Sequence, residues 1–308
     1  MTAPITTAPP TPHRPGDRPS TGRRPAPRRR RGSATSQLRA GRGTYLLLAV
    51  VTAISVFPIY WSLVAASHDN AAISAMPPAL LPGGELLTNL RKVFDQTEMA
   101  LALANSLIVA ATVTISVVFT STLAGFAFSK LRFRGRQGLL ATVVATMMVP
   151  TQLAIIPLYI MMANWFGWAD HIIAVILPGA ASAFGVFFMR QYLATALPYE
   201  LLEAGRVDGC STFRMYWHIV LPVARPAAAV LGMLTFMAVW NDFYWPLVVL
   251  TPQNPTVQVA LSSLAGGYIQ DYSLVLTGAL VSTLPVLAVF GLMGRQVIGG
   301  IMQGAVKG

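Results

Sequence analysis

Eleven acidic residues, 22 Lys/Arg and four histidines make up the titratable side chains that matter near neutral pH in this 308-residue chain, and their spacing is poor for catalysis. His13, His68, His171 and His218 are scattered, without the paired spacing a metal site uses, so no metal is expected. A single cysteine, Cys210, leaves no intramolecular disulfide to form. None of Lys92, Lys130 and Lys307 lies in the G-x-x-x-x-G-K-[ST] context that cradles nucleotide phosphates. An enzyme embedded in a membrane would need His, Glu or Asp clustered within its apolar stretches, and none is seen. The chain is therefore expected to be no enzyme and to carry no cofactor. Two polar constellations stand out instead. Glu203-Ala204-Gly205, then Asp208-Gly209, then Ile219-x-Leu221-Pro222, lie between two long apolar runs; Trp240-Asn241-Asp242-Phe243-Tyr244 lies inside one.

The elements that carry them are set by composition. The chain is 54% hydrophobic and 11% charged, against roughly 25% charged in soluble domains. Apolar runs of about 20 residues need a bilayer. Six spans are expected, at Thr44–Ala66, Ala100–Phe128, Leu139–Met162, Ile172–Met189, Pro226–Leu250 and Leu274–Gly294, which makes the fold class an all-α polytopic helix bundle. The first run exceeds the roughly 7–15-residue core of a secretory signal and is expected to remain as a span. Pro150, Pro157, Pro178 and Pro285 fall inside spans. Hydroxyls such as Thr112, Thr114, Ser116, Thr120, Ser121 and Thr122 can satisfy the carbonyls that prolines free, or simply pack helices.

Charge orients the bundle. Residues 1–43 carry ten arginines against Asp17, a net +9 of the chain's +11. This Pro-, Ser- and Arg-rich segment cannot bury a core and is expected to be disordered. Its expected neighbour is the anionic lipid of the cytoplasmic leaflet rather than nucleic acid. With the N-terminus inside, 20 of the 22 basic residues fall on the cytoplasmic side, leaving Arg91 and Lys92 outside. Basic residues concentrate on that side of membrane proteins, so both termini are expected to be cytoplasmic.

The segment 198–222 is then a cytoplasmic element between spans four and five. Pro198 suits a first helical position, and Glu200 complements the dipole of the first turn. Gly209 lets the chain stop and bend. Ser211 can cap a second helix, expected to run until Pro222, with Phe213, Tyr216, Trp217 and Val220 on one apolar face.

Glu203-Ala204, Gly209 six residues after the Glu, and Ile219-x-Leu221-Pro222 resemble the EAA loop of ABC importer permeases: Glu-Ala-Ala, three residues, Gly, nine residues, Ile-x-Leu-Pro. Gly205 departs from it, standing where the pattern has Ala. Residues 44–308 as a whole resemble the MalG-type permease subunits of maltose-class ABC importers, through Asn105-Ser106-Leu107, the stretch Phe126 to Gly135, and Trp240 to Pro246. The resemblance implies binding-protein-dependent sugar transport across the cytoplasmic membrane. The implied partners are a second permease subunit, an ATPase dimer and an extracytoplasmic sugar-binding protein. It implies that residues 198–222 form the coupling helix, with Glu203 pairing with a basic ATPase residue and Gly209 setting the bend. Ala204, Gly205, Asp208, Ile219, Leu221 and Pro222 complete that set. Gly304, Lys307 and Gly308 fall in a C-terminal tail that reaches the ATPase interface in such subunits.

Trp240, Asn241, Asp242 and Tyr244 are candidates for the substrate path. Asp242, the one acid placed within a span, and Asn241 can hydrogen-bond sugar hydroxyls while an aromatic ring stacks on the sugar. The aromatic belt at the outer headgroups is the other reading. The outer loop Thr251–Tyr272, made mobile by Gly266-Gly267, is implied by the resemblance to touch the binding protein. An ion-coupled secondary transporter is the rival class; it would need ionisable groups at the midplane and would leave the EAA-like loop without a purpose.

Overall fold

The computed structural model describes residues 41–266 and 270–305. The basic segment before residue 41, Gly267, Lys307 and Gly308 lie outside the described residues. The chain divides into two units, Met1–Thr52 and Ala53–Gly308. The described part of the first, residues 41–52, is exposed helix apart from its first residue.

Fourteen α-helices follow in order among the described residues: α1 (Arg42–Ala66), α2 (Asn70–Ser74), α3 (Leu86–Gln96), α4 (Met99–Lys130), α5 (Arg136–Thr146), α6 (Ile155–Ile160), α7 (Ile172–Gly179), α8 (Ala183–Ala196), α9 (Tyr199–Val207), α10 (Thr212–Met215), α11 (Leu221–Trp240), α12 (Tyr244–Val249), α13 (Val257–Ala265) and α14 (Tyr272–Ala305). No strand occurs among the described residues. Five helical segments are long and apolar enough to cross a membrane: 42–66, 99–130, 172–196, 212–240 and 272–292. A sixth crossing is a bent pair, 136–146 with 151–165, that turns through 89°.

That bend corrects the expected continuous span Leu139–Met162. Pro150 has extended backbone (φ −63°, ψ 124°) and disfavours helix in the residue before it. The chain therefore leaves α5 at Thr146 and restarts through a 3-10 turn, Thr151–Ala154. The expected span Pro226–Leu250 also differs. Its helix ends at Trp240, and residues 241–243 separate α11 from α12. Span four likewise breaks at 180–182, just after Pro178. In the expected outer loop Thr251–Tyr272, nine residues form α13.

Within the second unit α4 is the mast. Its 32 residues extend about 48 Å at 1.5 Å per residue, and α3, α7, α8, α11 and α13 all pack on it. The closest approach is to α8. A Cβ on Gly125 would come within 2.8 Å of the Arg190 backbone nitrogen and of Met189 Cβ, and one on Gly185 would meet Ser121. Small residues let membrane helices approach this closely. One apolar core joins Val109, Val113, Val117 and Phe126 of α4 to Met189 and Leu193 of α8, Leu202 of α9 and Leu231 of α11. A second joins Val93, Met99, Ala102 and Ala110 to Phe236, Trp240, Val257 and Leu274.

Of the α4 hydroxyls, Ser116 does meet a carbonyl in a helix break, donating to Ala180 O at 2.7 Å. Thr120 and Thr122 instead bond carbonyls of their own helix.

Because Gly125 faces backbone that cannot swing aside, Gly125→Val is expected to force α4 and α8 apart. Overpacking costs typically about 1–3 kcal/mol, so the detergent-solubilised protein should melt earlier. Gly84→Ala, which meets nothing within 4 Å, should leave the thermal midpoint unchanged. Equal midpoints for the two variants would contradict this packing.

Candidate functional site

The segment 198–222 folds as a helix, a tight turn and a second helical segment. Pro198 precedes α9 in extended backbone (ψ 147°) as its N-cap, one residue earlier than expected, and Glu200 lies in the first turn. The helix is stopped by Gly209, whose φ of 76° is left-handed and cheap only for glycine. Cys210 N–H donates to Gly205 O at 2.8 Å, and Gly209 N–H donates to Arg206 O at 3.0 Å. This is the Schellman pattern, which satisfies the orphan carbonyls of a helix end. Ser211 then caps α10, its Oγ accepting from Arg214 N–H at 3.3 Å.

The expected stop at Pro222 does not occur. A π turn, Tyr216–Val220, carries α10 directly into α11, with Leu221 N–H donating to Tyr216 O. A proline ring clashes with the carbonyl four residues back; the wider π turn just before Pro222 is one of the ways a helix accommodates such an insertion. The result is one helical segment from Thr212 to Trp240. The π turn also reassigns the faces. Met215, Tyr216 and Val220 are buried, whereas Phe213 is 65% exposed and Trp217 41% exposed. The expected four-residue apolar face is therefore split, because its spacing assumed 3.6 residues per turn throughout.

Leu202 and Gly205 form the inner face of α9. A Cβ on Gly205 would lie 2.9 Å from Ile219 Cδ1 and 3.4 Å from Met215 Cγ. Glu203, Ala204, Asp208 and Gly209 are exposed, as is Pro222; Ile219 and Leu221 are half-buried. Val207 at the turn is 87% exposed. Sequence reasoning passed it over; its signal is an aliphatic residue directly before Asp-Gly, off the register of Leu202 and Gly205.

Sequence reasoning also missed what fastens this element to the mast. Lys130, buried at the end of α4, donates to Ala194 O at 3.1 Å, and its Nζ lies 4.5 Å from the Tyr199 ring centroid. Tyr199 OH reaches Ser129 O at 3.4 Å. The start of α9, the end of α8 and the end of α4 are thus joined through two side chains.

The second candidate set lies at the other end of α11, and its members serve helix ends. Trp240 is buried and stacks on Phe236 with centroids 5.6 Å apart. Asn241 donates back to Met237 O at 2.8 Å. The half-buried Asp242 lies in the break, outside the helix in which it was expected, and its carboxylate meets the backbone N–H groups of Trp245 and Tyr244 at the start of α12. Tyr244 is 67% exposed. Below this junction is a polar knot that includes Asn105 and Ser106. Asn105 donates to Asn254 Oδ1 at 2.8 Å and Pro255 O at 3.0 Å, and Ser106 accepts from Val257 N–H at 2.8 Å. Asp170, with φ 62°, receives Thr251 N–H at 2.9 Å and Thr251 Oγ1 at 3.0 Å. Gly304 lies within α14.

Ile219 Cδ1 is the free end of a flexible side chain. Gly205→Ala is therefore expected to be tolerated, with the better helix propensity of Ala, worth up to about 1 kcal/mol, offsetting the rotamer shift. Gly205→Leu should lower the melting midpoint of the purified protein. A midpoint for the leucine variant equal to that of the native chain would show that the α9–α10 contact is loose.

Residues 116–297 match the model of the family described as "Binding-protein-dependent transport system inner membrane component". The lactose transport system permease protein LacG of Rhizobium radiobacter is 34% identical over 264 residues, covering 85% of this chain and 95% of that protein. The sn-glycerol-3-phosphate transport system permease protein UgpE of Pectobacterium atrosepticum is 32% identical over 269 residues, covering 84% and 95%. The arabinooligosaccharides permease AraQ of Bacillus subtilis is 34% identical over 205 residues, covering 66% of this chain and 72% of that protein. Among solved structures, a chain of a bacterial ABC transporter that imports the acidic polysaccharide alginate superposes with a TM-score of 0.71 at 21% identity, over 82% of this chain and 94% of that one. The relatives are transport permeases rather than enzymes. A multi-pass protein of the cytoplasmic membrane, this chain belongs to the binding-protein-dependent transport system inner-membrane component family.

Proposed function

We propose that the chain is one of two permease subunits of an ABC importer for a di- or oligosaccharide, with residues 198–222 as the point where a separate ATPase dimer drives it. The observation that carries this reading is the build of that element. Its inner face is packed through Leu202, Gly205 and Met215, its outer face leaves Glu203, Val207 and Asp208 exposed, and its second helix continues without a stop into a membrane-spanning helix. A push on the exposed face is delivered to α11 as a rigid-body displacement, the kind of motion that switches access from one side of a membrane to the other. Sidedness follows from charge. Lys130, Arg132, Arg206 and Arg214 lie at the α9 end of α4, and Arg91 and Lys92 on α3 at the opposite end, so the α9 end is assigned to the cytoplasm. By the resemblance to MalG-type subunits, the C-terminal tail that carries Gly304, Lys307 and Gly308 in the sequence is proposed as a further ATPase contact.

The sugar assignment is supported by the relatives named for lactose and arabinooligosaccharides; the sn-glycerol-3-phosphate relative marks how far cargo varies among close kin. An extracytoplasmic binding protein is the expected donor, meeting the α13 end. The break at 241–243 is proposed to line the sugar path, because irregular backbone at membrane depth is tolerated where it lines a cavity or is buried in protein.

Glu203 tests the coupling role. Removing one partner of a buried ion pair costs roughly 3–5 kcal/mol, against about 0–1 kcal/mol for an exposed pair. Glu203→Lys is expected to reduce copurified ATPase and abolish binding-protein-stimulated hydrolysis in reconstituted vesicles, with the permease still inserted; an acidic replacement in the ATPase groove should restore part of the activity. Normal stimulation by the Lys variant would remove Glu203 from the contact. If no ATPase copurifies even with the native chain, the importer reading itself falls.

Asp242→Asn is expected to lower sugar uptake while leaving ATPase copurification and basal hydrolysis within about twofold, a free-energy change of about 0.4 kcal/mol. Unchanged uptake kinetics would confine Asp242 to its helix-end role.

A further inference from the structure

Two hollows meet where α4 ends and α5 begins. One, of about 520 Å³, is lined by Lys130, Arg132, Arg206, Tyr199 and Glu203 among others. The other, of about 530 Å³, is lined by Arg132, Phe133, Arg136 and Gln137 with the neighbouring glycines. Four cations thus face one acid across a shared wall made by Arg132 and Phe133. Lys130 is committed to Ala194 O and the Tyr199 ring, and Arg136 donates to Leu131 O at 3.1 Å. The guanidinium groups of Arg132 and Arg206 are left with no hydrogen bond or ion pair among the described residues. A guanidinium in that condition is a strong donor set without an acceptor. Its planar fork matches phosphate oxygens in pairs.

The position of the hollows decides what kind of phosphate. Lys130 and Arg136 are where two apolar membrane segments end, so the hollows lie at the level of lipid headgroups. The rim is apolar as well as basic: Phe133 is 41% exposed and its ring lies 5.9 Å from that of Phe128 on α4. An amphiphile with a phosphate beside a hydrocarbon chain fits such a rim better than a fully hydrated ion does. Basic pockets between spanning helices on this side of a membrane take anionic headgroups.

We propose that this junction is a discrete binding site for the headgroup of an anionic phospholipid, its phosphate held by Arg132 from the α4–α5 loop and Arg206 from α9. The site does not depend on which solute the chain carries. Because its two arginines belong to different elements, the bound phosphate bridges α9 to the end of α4 in parallel with the Lys130–Tyr199 contact.

The test is native mass spectrometry of the full-length chain, with whatever subunits copurify, titrated with phosphatidylglycerol or with phosphatidylcholine. Arginines before residue 41 contribute the same background to every variant. The expected result is preferential binding of phosphatidylglycerol. Each basic residue near a membrane surface contributes about a fivefold change in affinity, so Arg132→Gln with Arg206→Gln should weaken the first phosphatidylglycerol by about 30-fold. Arg132→Lys with Arg206→Lys should keep most of the preference, and Arg91→Gln with Lys92→Gln, at the other end of the bundle, should keep all of it. No preference in the native chain, or full preference in the Gln pair, overturns the proposal. So does displacement of the lipid by millimolar inorganic phosphate, which would make the ligand a free anion. Loss of copurified ATPase by the Gln pair with lipid preference intact would assign the arginines to a protein contact and overturn it equally. Should the Gln pair fail to fold, the single variant Arg132→Gln decides, with about a fivefold loss expected and none overturning the site.

Discussion

Backbone amides have no water to bond inside a bilayer, and each one left unpaired there costs several kcal/mol. At three places where the chain of the second unit leaves helical geometry, side chains bond the backbone there. At the end of α1, Asn89 donates to Ala66 O and His68 O at 2.9 and 2.8 Å. At 180–182 it is Ser116 from the mast. Around 241–243, Asn241 serves Met237, Asp242 serves the start of α12, and Gln258 reaches Trp240 O at 3.3 Å. These three breaks are therefore built features with dedicated partners. A transporter needs them, since straight, fully bonded helices offer a passing solute no polar lining.

On the proposed coupling role, the same constraint lets motion at the α9 end be delivered across the membrane. The Schellman turn at Gly209 and the Ser211 cap leave the element tightly closed on itself. The π turn at Tyr216–Val220 then passes the chain into α11 without a free joint. Lys130 and Tyr199 hold the opposite edge of α9 to α4. An element fastened at both edges moves as a body or does not move. Close contact at Gly125 gives α4 and α8 the same property, because backbone this near cannot yield as two long side chains can.

Much of this was legible in the residues. Long apolar runs located α1, α4 and α14 to within a few positions, except that α14 runs on well past Gly294, because hydropathy is additive along a helix and needs no partner. The turn at Gly209 was legible for a similar reason: left-handed backbone selects glycine locally. The misses share a cause as well. Pro150, Pro178 and Pro222 look alike in sequence, yet one bends the chain by 89°, one precedes a short break, and one is absorbed by a π turn. Which outcome occurs depends on neighbours such as Ser116 that lie far away in the chain. Asp242 was misplaced by the same blindness, since hydropathy runs through the break at 241–243 as though it were helix. The joint of Lys130 with Tyr199 had no local signal at all; a lysine ending a span ordinarily faces water.

The distribution of charge bears on where the driving energy enters. Among the described residues, the buried polar set is hydroxyls and amides, and its one charged member is Lys130 at the end of α4. A cycle powered by protonation or by a bound cation needs an ionisable group held inside the spans, where transfer of a charge changes the balance between two conformations. The polar knot around Asn105, Asp170 and Asn254 is at the α13 end, and one oxygen of its carboxylate already accepts two hydrogen bonds from Thr251. Exposed charge is instead gathered on α9 and around it: Glu200, Glu203, Arg206, Asp208 and Arg214, with Arg132 beside them. Exposed charges on a short helix contribute little to folding. They are suited to recognising another surface, and the helix that bears them is rigidly continuous with a span. On the proposed reading, energy enters at that surface and the solute passes among the capped breaks, with α4 and α11 running between the two.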